Sequence, residues 1–485
     1  MALTKVHNRM VEGASVNIKD FGAVGDGVTD DTLAIQAAID SLNEYRGGNV
    51  YVPVGTYKVT EILLNCTGAR LHGESKRNST LYYTGTGVAV TISAVSCSID
   101  HIHITSLTPS TSLHLMSTNI GTGTGLTGIL MNHVESQISH CTISYFNNAT
   151  IKAHGIRTDG GIGFATTLEN NEIRYCWGGI TVEETVTDLT VRDNTILDVE
   201  KYGISIGWDW TAGAQTSFTG DNFRIINNLI ENVNRNHNAG GGVGIGYAIF
   251  IARGAVFSIE SNYIEDVYAE SGYTAYGIYA DGVTDGSYLL ALNIDKNNIA
   301  TGFSGTKVDV YIDNAWYGSG TGNHFGSGDG AVVLKVDARH FVFGVNYFTG
   351  APSAPYTIES VNSRCWESIS STWQSHVDDV VKHSNSQVFL NQISQTVSTF
   401  TATDATPAVL GQRFKTAGTT AITDFDGGNL GQTIKILATD NITITNNASI
   451  IKLSGATNYD MTAGDTLTLT MYDAGVWQED SRSVN

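Results

Sequence analysis

The chain has 485 residues, 53 of them glycine and 5 proline, and its 27 Lys+Arg against 47 Asp+Glu leave a formal net charge of −20. A hydrophobic share of 41% is enough for a core and excludes a disordered class. The acidic balance argues against nucleic acid or an anionic membrane surface as the main partner, and no run of about 18 apolar residues is available to span a bilayer. Residues 1–16 show no apolar stretch of a secretory signal, so none is expected. The five cysteines, Cys66, Cys97, Cys141, Cys176 and Cys365, are odd in number and widely spaced, with no metal-ligand spacing. Reduced core thiols are expected, and neither a metal nor a cofactor is.

In chain order, Val16 to Phe21 reads as a short strand, and Gly22 to Gly27 is turn chemistry. Thr29 or Asp30 is the expected N-cap of a helix near 31–45. Leu33, Ala34, Ala37, Ala38 and Leu42 should form its buried face, and Gly47-Gly48 its end. Two short strands around Pro53 and Gly55 follow.

The run VNIKDFGAVGDGVTDDTLAIQAAID followed by VYVPVGTYKV resembles the opening of pectate-lyase-like right-handed parallel β-helix proteins. With the preceding LTKVHNRMVEGA it resembles, more narrowly, a bacteriophage tailspike or tail fibre. That resemblance implies a helix capping the first coil, a homotrimer, and binding or cleavage of bacterial surface polysaccharide. It also implies a place on the virion tail, with residues 1–16 attaching to the baseplate or tail. It carries no catalytic residues: the polygalacturonase-like GHG and RIK motifs and the pectate-lyase RxPxxR are missing.

Downstream, a polar residue followed by x-Ile recurs with isoleucines at 143, 173, 196, 230, 264 and 299, the last in Asn298-Ile299 one residue tighter. A second strand follows each time, usually opened by glycine: Gly155-Ile156, Gly179-Ile180, Gly203-Ile204, Ala248-Ile249, Gly277-Ile278 and Asp309-Val310. Repeated short strands with Asn and Gly turns predict an all-β solenoid over 17–350, and scarce proline fits because proline cannot donate to a ladder.

Alternation along the second strand puts Ile180 and Val182 inside and Glu183 outside. The same frame aligns Asp159, Glu183, Gly207, Ala252, Asp281 and Asp313 in one outward column, with a one-residue slip bringing in Arg253 instead of Ala252. Stacked strands lie about 4.8 Å apart, so carboxylates one coil apart approach the roughly 5–9 Å that glycosidases use. Glu183 and Asp209 are the expected acid/base pair for endo-glycosidic hydrolysis, with Asp281 next. Insertions around this column form cleft walls, among them Trp208-Asp209-Trp210, whose indoles are candidates to pack on sugar faces. Glu184, Asp159, Asp313 and Tyr279 extend the candidate surface, along with Trp177, Tyr202 and Tyr247. Arg157 and Arg253 are candidates to orient an acidic sugar, and His237 is a candidate base. Two alternatives remain open at this point. One is a polysaccharide lyase using Arg157, Arg253, His237 or a tyrosine; the other is a non-catalytic glycan-binding fibre.

The solenoid pattern fades over 351–398. From 399 to 485 alternating strands such as Thr433–Leu437 and Thr466–Thr470 predict a β-sandwich-like module, which resembles C-terminal modules of phage tail proteins.

Overall fold

The structure is a computed structural model. It describes residues 15–45, 47–106, 126–147, 152–159, 163–183, 185–210, 212–215, 220–234, 244–282, 289–301, 306–326, 331–344, 346–349, 356–359, 363–365, 368–370, 397–409 and 411–484. The chain divides into two units, 1–390 and 391–485.

The first unit is a parallel β-helix. Among the described residues it contains three parallel sheets of 13, 13 and 11 strands, and successive coils add one strand to each. One coil comprises Thr167–Glu169, Glu172–Arg174 and Gly178–Val182; the next comprises Thr190–Arg192, Thr195–Leu197 and Tyr202–Ile206. Leu168 lies on Val191, Ile173 on Ile196 and Ile180 on Ile204, and all six are fully buried. Each coil therefore carries three strands where the repeat showed two. In these two coils the extra strand has three residues and one inward side chain, too short for alternation to register.

The recurring asparagines form a buried amide ladder. Asn194 Nδ2 donates to Asn228 Oδ1 at 3.0 Å and to the Leu168 carbonyl at 2.9 Å, while Asn228 Oδ1 also accepts the Asn194 backbone N–H at 3.1 Å. The same pattern links Asn171, Asn194, Asn228, Asn262, Asn297, Asn323 and Asn346. The ladder residue of the sixth repeat is Asn297, so Asn297-x-Ile299 keeps the regular spacing and the apparent tightening at Asn298 vanishes.

Alternation breaks at the strand-opening glycines. Gly155 and Ile156 both face the interior: a Cβ on Gly155 would lie 2.7 Å from Ile173 Cγ2 and 2.9 Å from the Gly179 carbonyl. A Cβ on Gly179 would come within 2.2 Å of the Gly203 carbonyl. Two inward residues in succession send the preceding residue out, so His154, Tyr202, Tyr247 and Tyr276 form an outer row of their own.

At the N-terminus the strand is only Val16–Asn17. Ile18–Phe21 turns into a 3-10 helix because the Asn17 side chain accepts from Lys19 N and left-handed Gly22 closes it. The α-helix spans Thr32–Asp40 and tightens into a 3-10 turn over Ser41–Tyr45. Its buried face is Ile35, Ala38, Ile39 and Leu42; Leu33 is 84% exposed, so the expected face is rotated. Asp31 occupies the N-cap, not Thr29 or Asp30, but its carboxylate binds Val24 N and Gly25 N. Asp30 instead accepts the Thr32 N–H at 3.0 Å.

The described ladder continues past the expected boundary at 350, through Tyr356–Ile358, Arg364–Cys365 and Ser368–Ser370. The second unit contains a six-stranded mixed sheet and a two-stranded one around buried Trp477, Phe414 and Leu467.

Candidate active site

Strand register settles the outward column. Thr158 lies on Val182, Val182 on Ile206, Ile206 on Ile251 and Ile251 on Ala280, so Asp159, Glu183, Gly207, Ala252 and Asp281 follow in order, and Asp281 pairs with Asp313. The fourth position is Ala252, not Arg253. Arg253 lies one residue beyond, where its Cβ would stand 2.7 Å from a Cβ on Gly207, which has a left-handed φ of +80°.

Two carboxylates meet one guanidinium at the start of this column. Arg157 Nη2 lies 2.6 Å from Asp159 Oδ2 and 2.7 Å from Glu183 Oε2, and Asp209 is close enough to act on Glu183 electrostatically. Glu183 is 2% exposed, whereas the Asp159 side chain is 35% exposed. Burial raises Glu183 most; Arg157 works against it and Asp209 and Asp159 add to it, with the net effect that the carboxyl is pushed up to about 7. Two acids share one guanidinium, and burial raises Glu183 in spite of it.

Beside Glu183 stands His154, which the alternation frame missed because it precedes the bulged Gly155. Its Nδ1 is 2.6 Å from the Tyr202 hydroxyl, and its Nε2 is 4.0 Å from Glu183 Oε1. Burial, with Arg157 and Lys152 nearby, pushes His154 down to about 3, so the ring is neutral at physiological pH.

The aromatic residues expected on the cleft wall pack mostly on one another. Trp208–Asp209 pairs antiparallel with Ala214–Gln215 as a small hairpin. Trp210 is only 8% exposed: it stacks on Tyr202 at 4.9 Å and donates from Nε1 to Ser205 Oγ at 2.8 Å. A sugar-facing role for Trp210 is therefore corrected, and Trp177, Tyr202 and Tyr247 are buried in the same cluster. Trp208 is half-buried against Phe250 and keeps one side outward. Lys201 sits over the Trp210 and Tyr247 rings at 5.6 and 5.2 Å and donates to the Ile245 carbonyl; burial pushes it down to about 8.

Further along the column Asp281 accepts from Tyr279 Oη at 2.8 Å and Asn314 Nδ2 at 2.9 Å. Burial raises the neighbouring Asp313, and Asp281 adds to it. Tyr279 stacks between Phe250 and Tyr311 at 5.4 and 4.8 Å, so its ring faces are covered and its hydroxyl edge is what it can offer a ligand. Glu184 and His237 lie outside the described residues.

Away from this column, His72, Asp100 and His101 bring three ligand atoms within 4.8 Å of one another, the one such group among the described residues. Arg70 already donates to both oxygens of Asp100 at 2.6 and 2.9 Å, so a guanidinium stands where a cation would. Burial works to raise Asp100, but Arg70, His101 and His72 outweigh it and hold the group down to about 2. Cys66, Cys97, Cys141 and Cys176 are free and buried.

The fold defines the class: a pectate-lyase-like parallel β-helix. Residues 15–228 match the family described as rhamnogalacturonase A/epimerase, pectate lyase-like. The chain is similar to mannuronan C5-epimerase AlgE5 of Azotobacter vinelandii, 32% identical over 186 residues that are 38% of this chain and 17% of that protein. It spans less than a third of the length of the relatives it matches in this way. Among solved structures it is similar to the catalytic unit of a GH87 α-1,3-glucanase from Streptomyces thermodiastaticus, with a TM-score of 0.55, 14% identity, and coverage of 78% of this chain and 69% of that one. It is also similar to PfbA, a surface adhesin of Streptococcus pneumoniae, with a TM-score of 0.53, 14% identity, and coverage of 77% and 93%. At these identities the structural likeness speaks for the fold.

Proposed function

We propose that this chain is a depolymerase that hydrolyses a bacterial surface polysaccharide, with Glu183 as proton donor and Asp209 as its partner. The observation that carries the reading is the pair of carboxylates on Arg157, with Asp209 acting on Glu183 from nearby, in which burial holds Glu183 near pH 7, where a general acid works best. Asp159 is the more exposed member and faces the glycan; Asp281, Asp313, Trp208 and the Tyr279 edge continue the binding surface along the column. The resemblance of the first 60 residues to tailspikes supports deployment as a homotrimer on a phage tail, which light scattering of the purified chain tests.

A second reading is favoured by the epimerase relative, since C5 epimerisation and β-elimination both begin by removing the proton beside a uronate carboxylate. Such chemistry needs a cation for that carboxylate. Arg157 is already bound to Asp159 and Glu183, which favours hydrolysis.

Incubation with a panel of bacterial capsules and O-antigens separates the readings. New reducing ends without ultraviolet absorbance support hydrolysis, while new absorbance marks a lyase. Binding without either marks an adhesin. Glu183→Gln and Asp209→Asn should each abolish cleavage and spare binding; full activity in both overturns the assignment.

A further inference from the structure

Two buried polar atoms face each other without a hydrogen-bond partner: His154 Nε2 and Glu183 Oε1, 4.0 Å apart, on side chains 2% and 3% exposed. Leaving either unsatisfied is costly in a buried site, so their apposition needs a reason. Glu183 Oε2 accepts from Arg157 at 2.7 Å, so in the unliganded chain a proton on this carboxyl belongs on Oε1, the oxygen turned to His154, and it reaches a glycan only when the carboxyl turns away from the ring. A neutral imidazole has one donor and one acceptor nitrogen, and which is which depends on the partner at the other end of the ring. Here that partner is the Tyr202 hydroxyl, 2.6 Å from Nδ1, which can donate or accept by rotating. The Thr181 hydroxyl, buried nearby without a hydrogen-bond partner of its own, offers the Tyr202 proton another place to point.

We propose that His154 is a positioning residue for Glu183, exchanging its two neutral tautomers as the carboxyl gains or loses its proton, with the Tyr202 hydroxyl as the rotor that satisfies both. When Glu183 is protonated, the Oε1 hydroxyl points at a bare Nε2, and Nδ1–H donates to Tyr202. When Glu183 is ionised, Nε2–H points at Oε1, and Tyr202 donates to Nδ1. Between the two states one proton leaves: Oε1–H passes to Nε2, Nδ1–H passes to the Tyr202 oxygen, and the proton that oxygen carried goes to solvent, so the imidazole gains none overall. A closing shift of about 1 Å brings the pair to ordinary hydrogen-bond distance. The charged and titratable groups that face the unit are Arg157, Asp159 and Asp209 around Glu183, Arg157 and Lys152 around His154, and Cys176 with Arg157 around Tyr202. The geometry stands whatever reaction the site performs; only its kinetic consequence rests on the hydrolytic reading.

The test is solid-state nitrogen NMR of the full chain with ¹⁵N-labelled histidine, with His154 assigned by difference against His154→Gln. The expected result is a neutral ring at both pH 5.5 and pH 8.5, carrying its proton on Nδ1 at the lower pH and on Nε2 at the higher. An imidazolium at pH 5.5, or one tautomer at both, overturns the proposal. In Glu183→Gln the change of tautomer with pH should disappear; its persistence would assign the switch to another group. In kinetics, His154→Leu removes a donor to the ionised carboxyl, so the alkaline limb of the pH–rate profile should move up by about one pH unit, because the charge-assisted bond is the stronger of the two lost. A fall in rate with the limb unmoved would show a merely structural role. A chain that cleaves no glycan fails the functional reading while the NMR result still decides this one.

Discussion

Arg157 reaches across one coil to Glu183, with Nη2 2.7 Å from Oε2, and this single contact holds a nearly buried carboxyl against its own desolvation. Removing one partner of a buried pair strands the other. Arg157→Leu should cost about 3 kcal/mol of stability at pH 8, by the usual cost of breaking such a pair. It should cost much less at pH 5, where Glu183 simply keeps its proton. Denaturant titrations at the two pH values check this, and an equal loss at both would show that packing alone matters.

The pH dependence of stability carries two opposed contributions. Glu183 is raised from 4.5 to about 7, so the folded chain binds its proton more tightly. That contribution is complete below pH 4.5 and is lost as pH rises through 7. His154 is lowered from 6.5 to about 3, so its contribution is present above pH 6.5 and is lost as pH falls toward 3. Glu183→Gln should therefore flatten the decline on the alkaline side, and His154→Gln the decline on the acid side. Melting temperatures between pH 4 and 8.5 should show each variant altering its own limb; identical profiles would refute both assignments.

Asn228 occupies the middle of the amide ladder and bonds Asn194, Asn262 and the Val191 carbonyl. Asn228→Leu leaves buried backbone groups without partners at about 1–3 kcal/mol each. A total loss of several kcal/mol is expected, visible as a large shift of the unfolding midpoint. A loss under about 1 kcal/mol would mean that the solenoid closes around the gap.

The two tryptophans of the hairpin should behave differently. Trp210→Ala removes a packed ring and its bond to Ser205, and should destabilise by about 3–5 kcal/mol. Trp208→Ala should leave the melting temperature nearly unchanged and weaken glycan binding. Parallel thermal melts and binding isotherms check the pair, and equal destabilisation would remove Trp208 from the binding surface.

Much of this architecture could be read along the chain because it is local and repeated. Asn171, Asn194, Asn228 and Asn262 each stand two residues before an inward isoleucine, and the ladder of bonds between them needs only that spacing and coil stacking. The outward column from Asp159 to Asp313 was readable for the same reason: parity within a strand is a backbone property. His154 was not readable, because the bulge at Gly155 reverses parity and nothing in a single glycine announces which way. The buried face of the helix keeps Ala38 and Leu42 of the expected set but is rotated, because Leu33 is apolar yet sits on the solvent side, while Ile35 and Ile39 fill the end of the solenoid.

Composition, spacing and alternation by themselves determined an N-terminal helix, an all-β solenoid and a separate β-rich module, and the order of the acids on the solenoid's outer face. Only the tertiary structure decided which acid is buried. Glu183 and Asp159 are neighbours in the same column with the same chemistry, but Glu183 lies beneath Arg157 and beside His154, while Asp159 faces outward. Desolvation depends on what other coils and insertions place overhead, so a proton affinity near pH 7 belongs to the packed molecule and has no signature in the residues around position 183.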